Sequence, residues 1–410
     1  MAAKKKAKKK TVAKKSAKKI IAKKTIAKKI AKKIPAPKKV VKKITKKAAK
    51  KTSRAAADRP AARKAKQAAP KRAPRIAGKL RLTMLTGAYD SVRALQDGTV
   101  QAKGIELVLG AYPGTRSIHD HVAGGKACDI NEFNGGHYVV QKAHGREDIT
   151  AIPVFLHRRF RHGFIYVNAS KGISGPADLN GKNVGCRSIG AAAAYWMRGY
   201  LAEGGAPTSS INWFIQDPDE ASEQAPASTR ITVLPKGKDV EEMVLTGELD
   251  AVILPNVNEA HARGDQRIAR LWPNYKQTEI DYYKRTGFFP IMHVTTIPTE
   301  IVAKYPWVVE SLTNAFEEAK QLGYRRLANP RNVPLAFAHT YWEEERALLG
   351  EDAWEYGLSD LNKRNYDTLV GYVHDQVLTG PRPQLTDLFP KEAFELELPL
   401  PKIHPIKFNF

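Results

Sequence analysis

The sequence predicts an α/β protein of two lobes preceded by a long basic tail. Three observations carry that expectation. Basic residues crowd into the first 78 positions, the rest of the chain alternates short apolar runs with amphipathic stretches, and the segment from Lys171 to Gly185 sets a glycine- and proline-marked turn directly before a strand.

The tail comes first. Of the 68 Lys and Arg in 410 residues, 32 fall within residues 1–78 against one acid, Asp58, whereas the other 332 residues carry 36 basic and 40 acidic side chains. The formal net charge of +27 therefore describes the tail and not the lobes. Its repeat unit is two or three lysines followed by Ala, Ile, Val or Thr, with the pairs Lys14-Lys15, Lys18-Lys19, Lys23-Lys24 and Lys28-Lys29 as examples. Helical spacing would align Ile26, Ile30 and Ile34, but it would also stack like charges on adjacent turns, so disorder is predicted. Pro35, Pro37, Pro60, Pro70 and Pro74 break any long helix, and residues 55–75 have the composition of a linker. A polycation this dense displaces condensed counterions from nucleic acid, which makes residues 1–78 a candidate nucleic-acid-binding segment through those eight lysines. With no aromatic residue it has nothing to stack on exposed bases, so a duplex or an RNA backbone suits it better. Its composition resembles the lysine-rich tails of linker histones. The plain alternative is a solvated tail without a specific partner.

No apolar run of about 7–15 residues follows the basic start and none near 18 occurs anywhere. A soluble, cytoplasmic protein without a membrane span is expected, associated with the nucleoid if the tail binds DNA. Cys128 and Cys186 lack the paired spacing of a metal site and are expected as buried thiols, and no metal is predicted.

Beyond the tail, residues 80–85, 105–109, 152–155, 163–167, 183–186, 231–234 and 251–254 read as strands. Helical periodicity fits 117–124, 191–203, 240–246, 307–327, 334–349 and 363–378. A stretch of 332 residues exceeds what one core serves, which suggests lobe 1 over 79–165, lobe 2 over 166–285, and a return to lobe 1 with C-terminal helices over 286–410.

The turn and strand running from Lys171-Gly172-Ile173 through Asp178-Leu179 and Gly181-Lys182 to Val184-Gly185 resemble the passage that opens the second lobe of type II periplasmic-binding-protein-like folds. That resemblance implies two α/β lobes joined by two crossing strands, with a ligand between them. Ala151-Ile152-Pro153-Val154-Phe155, Phe160-Arg161-His162-Gly163-Phe164, the passage from Tyr282-Tyr283 to Met292-His293, and Tyr356-Gly357-Leu358 before Asn365 occur in an order that resembles the 4,5-dihydroxyphthalate decarboxylase family. The likeness covers about residues 80–388 and implies decarboxylation of a hydroxylated aromatic diacid without metal or organic cofactor.

Direct loss of CO2 from an aromatic ring leaves an aryl carbanion. Protonating the ring carbon first, with a para hydroxyl as electron source, avoids it. Such a site needs a cation for the carboxylate that stays, an acid aimed at the ring and an acceptor for the phenol proton. Arg158, Arg159 and Arg161 are candidate carboxylate clamps. If 160–167 were a strand, alternation would put Arg159 and Arg161 on one face and Arg158 and His162 on the other; Arg161 is favoured because it belongs to the family-like passage. The resemblance places His162 and His293 on the two crossing strands, where they would converge as acid and base. Structural histidines in a packed crossover are the plain alternative. Tyr89, Asp90, Glu132, Asn134, Arg187 and Ser188 follow predicted strands and are expected as walls of the cleft, with the helix start near Gly190 as an anion site. Turn and cap chemistry competes for Tyr89 and Asp90. His119-Asp120-His121 on a helix point to different sides and read as solvated polar residues. Two rival functions remain: an intracellular solute-binding protein without turnover, and a nucleoid-associated DNA-binding protein.

Overall fold

The structure is a computed structural model that describes residues 78–110 and 128–403. The lysine tail and the helix expected over 117–124, with His119, Asp120 and His121, lie outside the described residues.

Two mixed sheets organise the chain. The first joins β1 (Leu80–Leu85), β2 (Ile105–Leu109), β3 (Ile130–Asn134), β4 (Ile149–Ile152) and, from far along the chain, β11 (His293–Pro298), in the order β2-β1-β3-β11-β4. β1 runs parallel to β2 and β3, while β11 is antiparallel to β3 and β4. The second sheet joins β5 (Ile165–Asn168), β6 (Asn183–Cys186), β7 (Asn212–Ile215), β8 (Arg230–Val233), β9 (Ala251–Ile253) and β10 (Ile268–Arg270), in the order β10-β5-β9-β6-β7-β8. β5 is antiparallel to its neighbours β9 and β10, and the β9-β6-β7-β8 part is parallel. Parallel strands require helical returns across the sheet faces, which is why apolar runs and amphipathic stretches alternate in the sequence.

The chain crosses between the sheets twice, over 153–164 and 271–292, and the two crossings run side by side. Arg158 and Ile291 form an antiparallel bridge. The Arg159 amide donates to the Pro290 carbonyl at 3.0 Å and the Met292 amide to the His157 carbonyl at 2.9 Å. These are the two joining strands that the binding-protein architecture requires.

Six longer helices complete the lobes: α1 (Gly135–Ala143), α2 (Ala192–Glu203), α3 (Tyr275–Thr286), α4 (Val308–Ala328), α5 (Ala338–Leu349) and α6 (Asp360–Val377). α6 packs on both α1 and α2, and the main apolar cluster runs without a break from Leu82 on β1 through Phe155 and Trp196 to Val373 on α6. Gly136 lies where α1 meets the second sheet's helices; a Cβ there would come within 2.7 Å of the Tyr195 ring and 2.8 Å of the Gly190 carbonyl, so only glycine lets the elements approach this closely. α5 is the exception to this packing, with no buried residue along its length. Among the described residues no helix is long and apolar enough to cross a membrane.

The strand expected over 152–155 lies three residues earlier, as β4, and two further expectations need correction. The strand predicted over 163–167 starts only at Ile165, after a 3-10 turn from His162 to Phe164, so alternation along a strand does not order Arg158, Arg159, Arg161 and His162. Glu132 and Asn134 do not follow a strand but lie within β3, every residue of which is buried. Three polar residues in a five-residue run gave no apolar pattern to read.

Candidate functional site

The site begins on β3. In the antiparallel register of β11 against β3, Glu132 faces Thr295 and Asn134 faces His293, which makes Glu132 and His293 diagonal neighbours on one face of the sheet. The Glu132 carboxylate is buried and accepts from three donors: the Gly87 amide at 2.8 Å, the Tyr89 hydroxyl at 2.8 Å and His293 Nδ1 at 2.5 Å. Gly87 and Tyr89 belong to the turn that follows β1, so the end of β1, strand β3 and the start of β11 all converge on one carboxylate. Satisfying a buried carboxylate from three sides is what makes its burial tolerable.

The first crossing adds His157, whose ring stacks on that of His293 with centroids 4.7 Å apart and planes 27° apart, and stands 6.2 Å from the Tyr89 ring. Arg161 Nη2 lies 3.3 Å from His157 Nε2. A guanidinium can only donate, so Nε2 accepts and the His157 proton resides on Nδ1. By the same logic the Nδ1–H of neutral His293 donates to Glu132, leaving the lone pair on Nε2. Burial, with Arg161 and a neighbouring imidazole, pushes His157 down to about 2 and His293 down to about 3, so both rings are uncharged at neutral pH. Burial and the Glu132 charge raise the Tyr89 phenol well above its ordinary range.

His157 and Tyr89 form part of the wall of a cavity of about 740 Å³, together with Arg159, Phe164 and Glu279. Arg159 is exposed and lies over the Phe164 ring at 5.5 Å, and among the described residues no carboxylate forms an ion pair with it. Glu279, on α3, accepts from the Gly163 amide at 3.3 Å, and burial raises its carboxyl to about 7. α5 also lines the cavity, through Ala338, Tyr341 and Trp342. The cavity thus brings together a cation available to a ligand, a carboxyl that keeps its proton near neutrality, and a phenol hydrogen-bonded to a buried carboxylate.

The structure brings together only some of the residues expected from the sequence. Tyr89, Glu132, His293 and Arg161 meet, and Arg159 borders the same cavity. The imidazole against His293 is that of His157, not His162 as expected. His162 is buried instead on the far side of the crossing, stacked on Tyr200 at 3.9 Å and 6° and edged by Trp272 and Tyr282. Arg161 is not an open clamp: its guanidinium is buried, donates to the Pro255 carbonyl at 2.7 Å and lies over Phe164 at 5.2 Å. Arg158 is likewise spent inside the protein, donating to the carbonyls of Phe289 at 3.1 Å and Glu355 at 2.7 Å and to Asn362 Oδ1 at 2.7 Å. Arg161 leaves the strand pattern as the residue that enters the turn at His162, whereas Arg158 is still paired with Ile291 and points into the fold.

The remaining expected walls are engaged elsewhere. Asp90 pairs with Arg326 on α4 at 3.1 Å. Asn134 caps α1, its Oδ1 accepting from the Gly136 amide at 3.0 Å and the His137 amide at 3.3 Å, and also takes the Ala192 amide at the start of α2 at 3.0 Å. Exposed Arg187 pairs with Glu241 at 2.8 Å. Ser188 donates to Asp219, and the same carboxylate takes the Gly190 amide at 2.9 Å, so the helix start proposed as an anion site already holds one. Cys128 and Cys186 are free thiols. Among the described residues no group of three or more His, Cys, Asp or Glu gathers as metal ligands.

His157 and Glu279 were missed. His157 directly precedes the arginine run that drew attention, and only the pairing of the crossings reveals that its ring meets His293. Glu279 lies on a polar helix with one buried residue, Tyr282, which has no apolar stripe to signal it.

No family model matches the chain. A 4,5-dihydroxyphthalate decarboxylase of Comamonas testosteroni is 31% identical over 326 residues, 77% of this chain and 98% of that protein. One of the same name from Pseudomonas putida is 30% identical over 220 residues, 52% of this chain and 85% of that protein. Among solved structures, the chain is similar to the alkanesulfonate-binding protein SsuA of Xanthomonas axonopodis pv. citri bound to MOPS, at 13% identity over 76% of this chain and 98% of that one, with a TM-score of 0.45. It is also similar to the periplasmic aliphatic sulphonate binding protein SsuA of Escherichia coli, at 12% identity over 77% and 99%, with a TM-score of 0.43.

Proposed function

The chain belongs to the 4,5-dihydroxyphthalate decarboxylase family, and on that premise we propose that it removes CO2 from a hydroxylated aromatic dicarboxylate of the 4,5-dihydroxyphthalate type. The observation that carries the reading is the presence of Glu279, Arg159 and Tyr89 on the wall of one cavity, with the Tyr89 hydroxyl bonded to Glu132 and Glu132 in turn to His293. Arg159 holds the carboxylate that stays on the ring through paired charge-assisted hydrogen bonds. Glu279, protonated near neutral pH, gives its proton to the ring carbon that bears the departing carboxylate. The para hydroxyl supplies the electron pair: its proton passes to the Tyr89 oxygen as the Tyr89 proton moves to Glu132, which His293 helps to hold. The C–CO2 bond then breaks, its electrons return through the ring to oxygen, and the borrowed proton comes back. One proton is consumed, from Glu279, and aromaticity is restored without an aryl carbanion. Neutral His157 presents Nδ1–H as a further donor, and Phe160, Phe164 and Trp354 give the departing carboxylate apolar surroundings that favour its conversion to neutral CO2.

Incubation of the protein with 4,5-dihydroxyphthalate should yield CO2 and 3,4-dihydroxybenzoate in equal amounts. Ligand-induced thermal stabilisation with no CO2 would instead favour the solute-binding alternative. For the tail we propose non-specific nucleic-acid binding through residues 1–78, on the strength of its charge alone.

A further inference from the structure

The reaction proposed above depends on which oxygen of Glu279 carries the proton. A carboxylic acid has one O–H, and it is useful only if it points into the cavity while the other oxygen is occupied. The backbone amides of Gly163 and His162 both donate to the Glu279 carboxyl, and Oε1 takes the Gly163 amide at 3.3 Å and lies 4.0 Å from His162 Nδ1. That nitrogen is buried and has no hydrogen-bond partner, and Oε1, just beyond bonding distance, is the carboxylate oxygen it pairs with. The His162 ring is held face to face on Tyr200 with Trp272 and Tyr282 packed around it, so it is the Glu279 side chain that must swing to close the remaining gap. The other side of the ring borders a second cavity, of about 570 Å³, that shares no lining residue with the first. The charged groups around the pair are Arg159, Arg161 and Arg270 about Glu279, and Arg285 about His162, with Glu203, which pairs with Arg285 at 2.8 Å, and Asp281 on the wall of the cavity that His162 borders.

We propose that His162 is a positioning residue for the decarboxylation: as the Nδ1–H tautomer, and without charge, it closes on Glu279 Oε1 together with the Gly163 amide and so fixes the acidic proton on Oε2, facing the substrate. A charged His162 would do the opposite and ionise Glu279. Burial and Arg285 keep the ring uncharged, pushing it down to about 3. This inference rests on Glu279 being the acid, and the two can fail separately.

Three variants of the full chain separate the possibilities. Glu279→Gln tests the acid itself: if its kcat equals that of wild type, the reading of Glu279 fails whatever His162 does. Given that Glu279→Gln is inactive, His162→Phe, which keeps the stack on Tyr200 but has no N–H, should lower kcat roughly 10- to 100-fold with KM unchanged. His162→Gln, which restores an uncharged N–H donor, should recover most of that loss. Equal kcat in His162→Phe and wild type, or no recovery in a folded His162→Gln, overturns the proposal. If the variants do not fold, ¹⁵N spectra of histidine-labelled wild type decide: Nδ1 protonation at His162 supports the proposal, and the Nε2–H tautomer at neutral pH overturns it.

Discussion

Glu279→Gln should have two opposite effects near neutral pH: it should stabilise the fold and stop the reaction. Burial raises the Glu279 carboxyl from 4.5 to about 7 in the folded protein, with no comparable effect in the unfolded chain. Below pH 4.5 both states hold the proton, and the stability of the folded form is undiminished. As pH rises the unfolded state releases its proton first, so stability falls until the folded carboxyl also ionises near 7, and it stays lower above that. At 1.36 kcal/mol per pH unit, that interval amounts to a loss on the order of 3 kcal/mol. The side chain is only 14% exposed, so water screens little of this. Glutamine has the same shape and never charges. The difference in unfolding free energy between variant and wild type should therefore grow from near zero at pH 4.5 to about 3 kcal/mol in the variant's favour at pH 8. Urea titrations across this range measure it, and CO2 release from 4,5-dihydroxyphthalate should meanwhile drop roughly 10²- to 10⁴-fold. Stability curves that stay parallel from pH 4.5 to 8 would refute the idea that Glu279 is a buried carboxyl holding its proton.

Other outcomes follow from the same geometry. Arg159→Met, at an exposed position, should leave stability within about 0.5 kcal/mol but raise KM for the diacid roughly 10- to 100-fold, the equivalent of about 1.5–3 kcal/mol for a charge-assisted contact; steady-state kinetics decide. Arg158→Met should behave in the reverse sense, costing at least about 3 kcal/mol in urea unfolding because the Phe289 and Glu355 carbonyls and the Asn362 side chain lose a buried donor. Glu132→Ala strands the Tyr89 hydroxyl, the Gly87 amide and His293 Nδ1, and should lower stability by about 2–4 kcal/mol with loss of turnover. Removing residues 1–78 should abolish retardation of duplex DNA in gels at low salt and leave kcat unchanged; retardation that survives the truncation would rule out the tail as the binding segment.

Much of the scaffold could be read from one-dimensional pattern. β6 (Asn183–Cys186) and the short helix Val240–Thr246 occur at the expected residues, and β1 and β2 likewise, because apolar runs bounded by Gly, Asn and Asp leave little freedom. β3 escaped because its burial is supported by hydrogen bonds rather than by apolar side chains. The site was legible only in part for a related reason. Tyr89, Glu132 and His293 were singled out, but their meeting depends on the register between β11 and β3, a contact across some 160 positions that no local window contains. The exchange of His162 for His157 has a smaller cause, a single 3-10 turn that replaces strand alternation with a rotation. The choice among three arginines could not be made from type or spacing either. It is decided by which guanidinium finds backbone carbonyls inside the fold, and Arg158 and Arg161 do.

One oxygen has a wider consequence. Asn134 Oδ1 takes amides from the starts of two helices, Gly136 and His137 on α1 and Ala192 on α2, and nearby His137 and His144 of α1 pair with Asp219 and Glu220 at 3.5 and 3.0 Å. That edge of the molecule is riveted. Swinging the halves apart like a clamshell would break contacts worth about 0.5–1.5 kcal/mol each, several in total, before any ligand had moved. On the side of α5, which has no fully buried residue, polar ties run to α3: Lys276 pairs with Glu344 at 2.9 Å and the Tyr283 hydroxyl donates to the Leu349 carbonyl at 3.3 Å. A body plan suited to a flytrap is thus stitched along one edge by a single side-chain oxygen.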